Sequence, residues 1–156
     1  MDLSPKEMVA DYFHFVDTEN LSSILNLMTE DFSFTIETHG ITLPGFEEIS
    51  VMFKRLWDNY EWVKHDQFEW VEGRLDQDIA VRFRVTNKLH DGTLVNKSNC
   101  NFFTLRNGLF SAVRVYLAGA NTLNIHCQCP RDTTILCGIK RIVRLCNNQR
   151  CNLGCT

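Results

Sequence analysis

The sequence lacks any run of about 18 consecutive apolar residues, the length that a membrane-spanning helix requires, so no membrane partner is expected. Its N-terminus also lacks a basic start followed by an apolar core, and we therefore expect a cytoplasmic protein. Proline is scarce, with 3 residues among 156, and neither repeats nor low-complexity segments are present. These absences exclude fibrous, membrane-spanning and largely disordered classes and favour an ordinary globular protein.

Positive charge is scarce in most of the chain. Residues 1–123 hold 11 Lys and Arg against 18 Asp and Glu, whereas residues 124–156 hold 5 against 1. An acidic body repels phosphate backbones, so nucleic acid is not an expected partner. The reversal of charge predicts a domain over 4–123 and a basic extension over 124–156.

Cysteine is nearly absent from the predicted domain, where Cys100 is alone, and crowded in the extension. The extension holds Cys127, Cys129, Cys137, Cys146, Cys151 and Cys155. Their spacings lack the paired C-x2-C pattern of familiar zinc modules, so zinc, disulfides and neither remain open alternatives. We assign no metal site and expect no cofactor.

The N-terminal region predicts helices. Ser4 and Glu7 have the spacing of a capping box, and Tyr12 lies on the apolar face of the helix that follows. A second, short helix is expected after Asn20, with an apolar side that runs to Met28. These residues predict two helices in succession.

Beyond the helices, the pattern changes to strands. Residues 32–37 alternate apolar and polar side chains, and a third helix is expected near Phe46. Asp91-Gly92 and Asn107-Gly108 are typical of type I′ hairpin turns, which need positive φ at both central positions. The later strands are expected at approximately 62–72, 79–89, 94–105 and 109–117. This order predicts an α+β fold, with three helices packed on a mainly antiparallel sheet.

Three segments carry a resemblance to a known family: VDTENLSSILNLMTEDFSF, LPGFEEI and FFTLRNGLFSAVRVYLAGANTL. Over about residues 4–123, the chain resembles SnoaL-like proteins of the nuclear transport factor 2-like superfamily. The resemblance implies a curved sheet that wraps a long helix into a cone with an apolar pocket. It also implies a homodimer. Members include ketosteroid isomerases, polyketide cyclases, limonene-epoxide hydrolases, dehydratases and proteins without activity, so fold alone does not settle function.

The resemblance also implies that Arg114 and Tyr116 face the cone, where they would stabilise negative charge on a substrate oxygen. The alternative is that Arg114 pairs with an acid on the surface and Tyr116 fills the core. Many catalytic relatives carry an aspartate where this chain has Ala118, which cannot transfer a proton. That departure weakens the enzyme hypothesis.

Two other carboxylates are therefore candidates for the base. Asp66 shares strand parity with two aromatic residues, Phe68 and Trp70, and is the first choice if it points inward among them. The alternative is that Asp66 caps the strand. Glu37 is the second choice, although its alternation favours an outward side chain. His65 has the opposite parity to Asp66, so both face the cone only if a bulge intervenes.

Side chains expected in the pocket wall are Tyr12, Trp57, Asn99, Asn101 and Phe103. Hydrogen bonds between strands are the alternative role for the two amides.

These observations predict two alternative functions. The first is a small hydrophobic ligand bound in the cone, with cofactor-free acid–base chemistry of the isomerase, cyclase, dehydratase or hydrolase type. The second is a non-catalytic ligand-binding or dimerisation module.

Overall fold

The structure, a computed structural model, describes residues 3–73 and 77–118. The Cys-rich extension, for which zinc, disulfides and neither are open alternatives, lies outside these residues. The helices are α1 (Pro5–Asp17), α2 (Leu21–Asn26) and α3 (Phe46–Asn59). The strands are β1 (Met28–Ile36), β2 (Ile41–Leu43), β3 (Trp62–Glu72), β4 (Asp78–Lys88), β5 (Leu94–Arg106) and β6 (Leu109–Tyr116). The predicted α+β class is confirmed.

The starts of α1 and α2 are set by the residues that the sequence indicates. The Ser4 hydroxyl accepts a hydrogen bond from the Glu7 backbone N–H at 3.3 Å, and the Glu7 carboxylate accepts one from the Ser4 N–H at 2.8 Å. Asn20 caps α2 by accepting the Ser23 N–H at 3.1 Å. Each cap satisfies a backbone donor that the first turn of a helix leaves unpaired.

The six strands form one sheet in the order β2-β1-β6-β5-β4-β3. The predicted meander β3 to β6 is antiparallel throughout, whereas β1 pairs parallel with β6. Sequence analysis missed β2 and that parallel pairing. It also placed Met28 on the second helix, although α2 ends at Asn26 and β1 begins at Met28.

The two hairpin turns differ. Asn107-Gly108 has φ values of 54° and 73°, which confirms the type I′ prediction. At the other turn only Gly92 has positive φ, at 87°, and Leu89 donates its N–H to Thr93 O at 2.8 Å. The type I′ prediction is wrong there, because the Asp91 carboxylate accepts the Thr93 N–H at 2.9 Å and supports a longer loop.

A bulge interrupts β3. The register with β4 shifts between Asp66 and Glu69, and Gln67 between them has a φ of 53°. Inward residues are therefore Val63 and His65 before the bulge and Phe68 after it. Because the bulge adds one residue to the strand, His65 and Phe68 lie on the same face although three positions separate them.

A second bulge interrupts β6. Thr104 pairs with Ala112 but Leu105 pairs with Phe110, so Ser111 is the extra residue. Phe110 consequently lies on the same buried side as Val113, although three positions separate them. Simple alternation along this strand therefore predicts the wrong side for every residue beyond the bulge.

The core lies between the helices and one face of the sheet, called here the inner face. Tyr12 of α1 is at its centre, with ring contacts to Phe53 on α3 and to Phe103 and Phe110 on the sheet. The opposite, outer face carries Arg82, which pairs with Glu69 at 2.5 Å. Within residues 3–73 and 77–118, no helix has the length and apolar character needed to cross a bilayer.

Candidate functional site

A cavity of about 90 Å³ lies between α1, α3 and the inner face of the sheet. Most of its wall is aromatic and aliphatic, which favours an apolar occupant. The polar side chains in the wall are His65, Asn87, Lys97, Asn99 and Asn101. Because pockets for drug-sized molecules span roughly 300–1,000 Å³, this cavity is suited to a compact molecule.

His65 is joined to Asp17, the last residue of α1. The ring nitrogen Nδ1 lies 2.5 Å from Asp17 Oδ1, and the His65 backbone N–H donates to Asp17 Oδ2 at 2.9 Å. Both carboxylate oxygens are thus engaged by one residue of β3. The side chains are 10% and 22% exposed, so solvent screens this pair only in part.

The pairing fixes which His65 nitrogen is available. An ionised carboxylate only accepts hydrogen bonds, so the Asp17 contact requires the proton on Nδ1 of His65. In the neutral imidazole, Nε2 then carries the lone pair. A neutral histidine held in this way by a carboxylate has the arrangement of a general base, with Asp17 placed to stabilise the imidazolium.

Aromatic rings hold the imidazole in place. The Phe13 ring centroid is 4.9 Å from that of His65, and the Phe83 centroid is 5.3 Å away. The β3 bulge turns both His65 and Phe68 inward, which sequence parity alone did not predict. Sequence analysis therefore missed the Asp17–His65 pair, whose members are 48 positions apart.

Lys97 lies across the sheet from His65 on the same inner face. His65 of β3 is opposite Val85 of β4, and Val85 is opposite Lys97 of β5. Desolvation lowers the pKa of the Lys97 ammonium. Asn87 follows two positions after Val85 and is 4% exposed. An imidazole, an ammonium and an amide thus line the same cavity.

The three wall asparagines differ in their hydrogen bonding. Asn99 Oδ1 accepts the Ala118 backbone N–H at 3.0 Å, which joins β5 to the segment after β6. Among the described residues, Oδ1 of Asn87 and Oδ1 of Asn101 have no hydrogen-bond partner, although both are buried. A buried oxygen without a partner is unfavourable, so these atoms are candidates to receive a donor from a ligand.

Of the other expected wall residues, Tyr12 lines the cavity and burial raises the pKa of its hydroxyl. Trp57 and Phe103 pack behind the wall instead. The Trp57 indole N–H donates to Val16 O at 2.9 Å, and Phe103 contacts Tyr12 with ring centroids 5.4 Å apart. These two aromatic residues contribute to packing.

Asp66 and Glu37 lie away from the cavity. The Asp66 carboxylate is 3.7 Å from the Lys64 ammonium, and its side chain is 39% exposed. The expectation that it points inward is wrong, because the bulge at Gln67 reverses the parity on which it rested. Glu37 is exposed after β1 and accepts the Thr35 hydroxyl at 2.6 Å.

Arg114 and Tyr116 are exposed on the outer face, opposite the side that holds Val113 and Val115. The expectation that these side chains face the cone is wrong. The bulge at Ser111 reverses the alternation along β6, so they point to the outer face. The Tyr116 ring packs on the outer face against the ring of Phe102, with centroids 5.6 Å apart. The structure therefore does not bring this pair together with the cavity.

Comparison with known proteins agrees with this architecture. A profile of the SnoaL-like domain matches residues 9–113. A comparison with curated protein sequences finds no match. A candidate polyketide cyclase from Xanthomonas campestris pv. campestris superposes with a TM-score of 0.66 at 16% identity, over 71% of this chain and 87% of that chain.

Two further solved structures are similar. The epoxide hydrolase/cyclase-like enzyme SalBIII, described in pyran ring formation in the polyether salinomycin, has a TM-score of 0.64 at 20% identity, over 72% of this chain and 89% of its own. A protein from Catenulispora acidiphila with a ketosteroid isomerase-like fold, solved with trimethylamine, has a TM-score of 0.63 at 16% identity. The superposition covers 73% of this chain and 86% of that chain. At these identities the likeness shows the fold, which confirms the predicted cone architecture.

Proposed function

The chain belongs to the SnoaL-like domain family, and from that premise we propose that its cavity binds a small hydrophobic molecule on which His65 transfers a proton without a cofactor. The observation that supports the proposal is the Asp17–His65 pair in the wall of an apolar cavity. His65 supplies the proton-transfer group that Ala118 cannot. The reaction types are isomerisation, cyclisation, dehydration or hydrolysis.

The chemistry follows from the two nitrogens of the His65 ring. Nε2 takes a proton from a substrate carbon next to a carbonyl group, and the electron pair of the broken C–H bond moves onto the carbonyl oxygen to form an enolate. The imidazolium formed is stabilised by the Asp17 carboxylate at Nδ1. Return of the same proton to another substrate atom completes an isomerisation, and its delivery to a leaving hydroxyl completes a dehydration.

The experiment measures deuterium exchange into the α-carbon of 2-butanone, a compact enolisable ketone, in D2O by proton NMR. We expect exchange by the wild-type protein to exceed that of His65→Gln by about 100-fold or more, the range typical of a positioned base. His14→Gln is the matched control, because His14 is exposed on α1. Equal exchange by the wild type and His65→Gln contradicts the proposal.

Asp17 is a positioning residue in this proposal. Asp17→Asn should slow the exchange at least about tenfold, because an amide can favour the wrong imidazole tautomer. Nitrogen-15 NMR of the His65 ring separates this role from simple packing. The wild type should show the proton on Nδ1, and the variant should show that population reduced. An unchanged tautomer population in the variant contradicts the positioning role.

The second candidate function is a binding module without catalysis. The cavity volume of about 90 Å³ favours it, because little room remains for a substrate to move during a reaction. It predicts that 2-butanone shifts the amide signals of cavity residues in NMR while no exchange depends on His65.

We also propose a homodimer formed through the outer face. Phe102 and Tyr116 are 43% and 41% exposed there and contact each other with ring centroids 5.6 Å apart. Exposed aromatic pairs are typical of interfaces. Light scattering should give a dimer for the wild type and a monomer for Phe102→Asp, with Leu3→Asp as an exposed control. A wild-type monomer contradicts this proposal.

A further inference from the structure

We infer that the compact ligand, whose apolar part lies against the aromatic and aliphatic wall, also carries an anionic group bound by Lys97 and a hydroxyl group bound by Asn87. The inference rests on the proposed function in that it assigns a substrate class to the same cavity. It depends on the positions and hydrogen bonding of Lys97 and Asn87, whereas the proton transfer depends on His65.

The sheet register places the three polar groups around Val85. His65 and Lys97 are each directly opposite Val85 on its two neighbouring strands. Neighbouring strands are about 4.8 Å apart, so the two Cα atoms are separated by roughly 10 Å across the sheet. Side chains that reach inward from both positions approach one small ligand from opposite sides.

Asn87 contributes the hydroxyl preference. It lies two positions from Val85 on β4, on the same inner face, and is 4% exposed. Its Oδ1 has no hydrogen-bond partner among the described residues. A ligand hydroxyl both donates and accepts hydrogen bonds. It therefore pairs with the Asn87 amide whether the oxygen or the NH2 group of that amide faces the cavity.

Lys97 contributes the charge preference. Its side chain lies in a wall that is mostly apolar, where an ammonium loses part of its hydration. A carboxylate or enolate bound there replaces that hydration with a charge-assisted hydrogen bond. Because an ammonium has three donors, Lys97 can hold a ligand oxygen and a protein contact at the same time.

The volume limits the size of the ligand. A cavity of about 90 Å³ is well below the roughly 300 Å³ at which sites for drug-sized molecules begin. The anion is therefore a short-chain or small-ring compound with few non-hydrogen atoms. A polycyclic skeleton exceeds the space that the wall residues leave.

The test is an NMR titration of the nitrogen-15-labelled protein with three related compounds, followed at the amide signal of Val85. The compounds are 2-hydroxybutyrate, butyrate and 2-hydroxybutyramide. We expect the hydroxy acid to bind most tightly, since butyrate lacks the hydroxyl and the amide lacks the charge. Lys97→Met should weaken binding of both acids about tenfold or more and leave the amide unchanged.

Lys88→Met is the matched control, because Lys88 is paired with Glu61 at 2.9 Å outside the cavity. Its affinities should equal those of the wild type. The inference is overturned if the amide binds the wild type as tightly as the hydroxy acid, if butyrate binds as tightly as the hydroxy acid, or if none of the three binds. These outcomes need no variant, so they hold even where a substitution prevents folding.

The same titration of His65→Gln separates the two proposals. Selective binding of the hydroxy acid by this variant, together with ketone exchange that does not depend on His65, supports the ligand class and contradicts the proton transfer. Exchange that depends on His65, together with equal binding of acid and amide, supports the proton transfer and contradicts the ligand class.

Discussion

His65 and Phe68 contact the same ring, that of Phe13, at centroid distances of 4.9 and 5.2 Å, although three positions separate them on one strand. Successive residues of a regular strand face opposite sides, so two residues three positions apart share a face only if the strand contains an extra residue. Gln67, with a φ of 53°, supplies it. This one backbone irregularity lets the candidate base and Phe68 share the inner face.

Gln67 has a left-handed backbone conformation, so substitutions there should change the stability of the protein. Gln67→Val is expected to lower the free energy of unfolding by about 1–2 kcal/mol, because branching at Cβ makes positive φ costly. Gln67→Gly should be neutral or stabilising, since glycine adopts this conformation freely. Urea denaturation measures both, and equal stabilities of the two variants would contradict a left-handed requirement.

Lys97 should reduce stability at neutral pH. Its pKa is lowered by desolvation, so between its folded and unfolded pKa values the unfolded chain binds more protons and stability rises with pH. Lys97→Met is therefore expected to raise the thermal midpoint at pH 7, by an amount that shrinks as pH approaches about 10.4. A lower midpoint for Lys97→Met at pH 7 would show that the lysine stabilises the fold.

Glu7 should make the stability of the protein fall in acid. The hydrogen bonds from Ser4 lower the pKa of its carboxyl, so its contribution is complete above the unfolded value of about 4.3 and is lost as pH falls through the folded value. Glu7→Gln should therefore lose part of the pH dependence of unfolding between about pH 5 and pH 3. Urea midpoints across this range test it; profiles that stay parallel to the wild type refute it.

The Asn107-Gly108 turn should depend on its glycine for backbone reasons alone. Gly108 has a φ of 73°, and no heavy atom of the other described residues, its two chain neighbours aside, lies within 4 Å of where a Cβ would stand. Gly108→Ala is expected to lower stability by about 1–2 kcal/mol through conformational strain. Asn107→Gly serves as the control and should change stability little. A neutral Gly108→Ala would mean that the turn rearranges.

Most of the fold was predictable because its signals are local. The Ser4 cap, the periodicity of α1 and the Asn107-Gly108 turn each depend on residues within a few positions of one another, and the structure confirms them. The parallel pairing of β1 with β6 has no local signal. It joins strands separated by most of the domain, so the sequence alone did not indicate it.

The site was harder to predict because two bulges reverse strand parity. Strand parity predicted an inward Asp66 and the family resemblance implied an inward Tyr116, whereas the bulges at Gln67 and Ser111 leave both residues outside the cavity. Whether a strand bulges depends on packing across the whole sheet rather than on its own side chains. On β5, which pairs with β4 in unbroken register, alternation correctly placed Asn101 on the inner face.

The parallel pairing of Phe34 with Val113 has a consequence for how the molecule is made. During synthesis on the ribosome, β1 emerges early but cannot complete its edge of the sheet until β6 has been translated. Contacts between such distant positions slow folding, because a long segment must be ordered before they form. In the interval the apolar side of β1 is left open, and a nascent chain stalled just before β6 should be an efficient chaperone substrate.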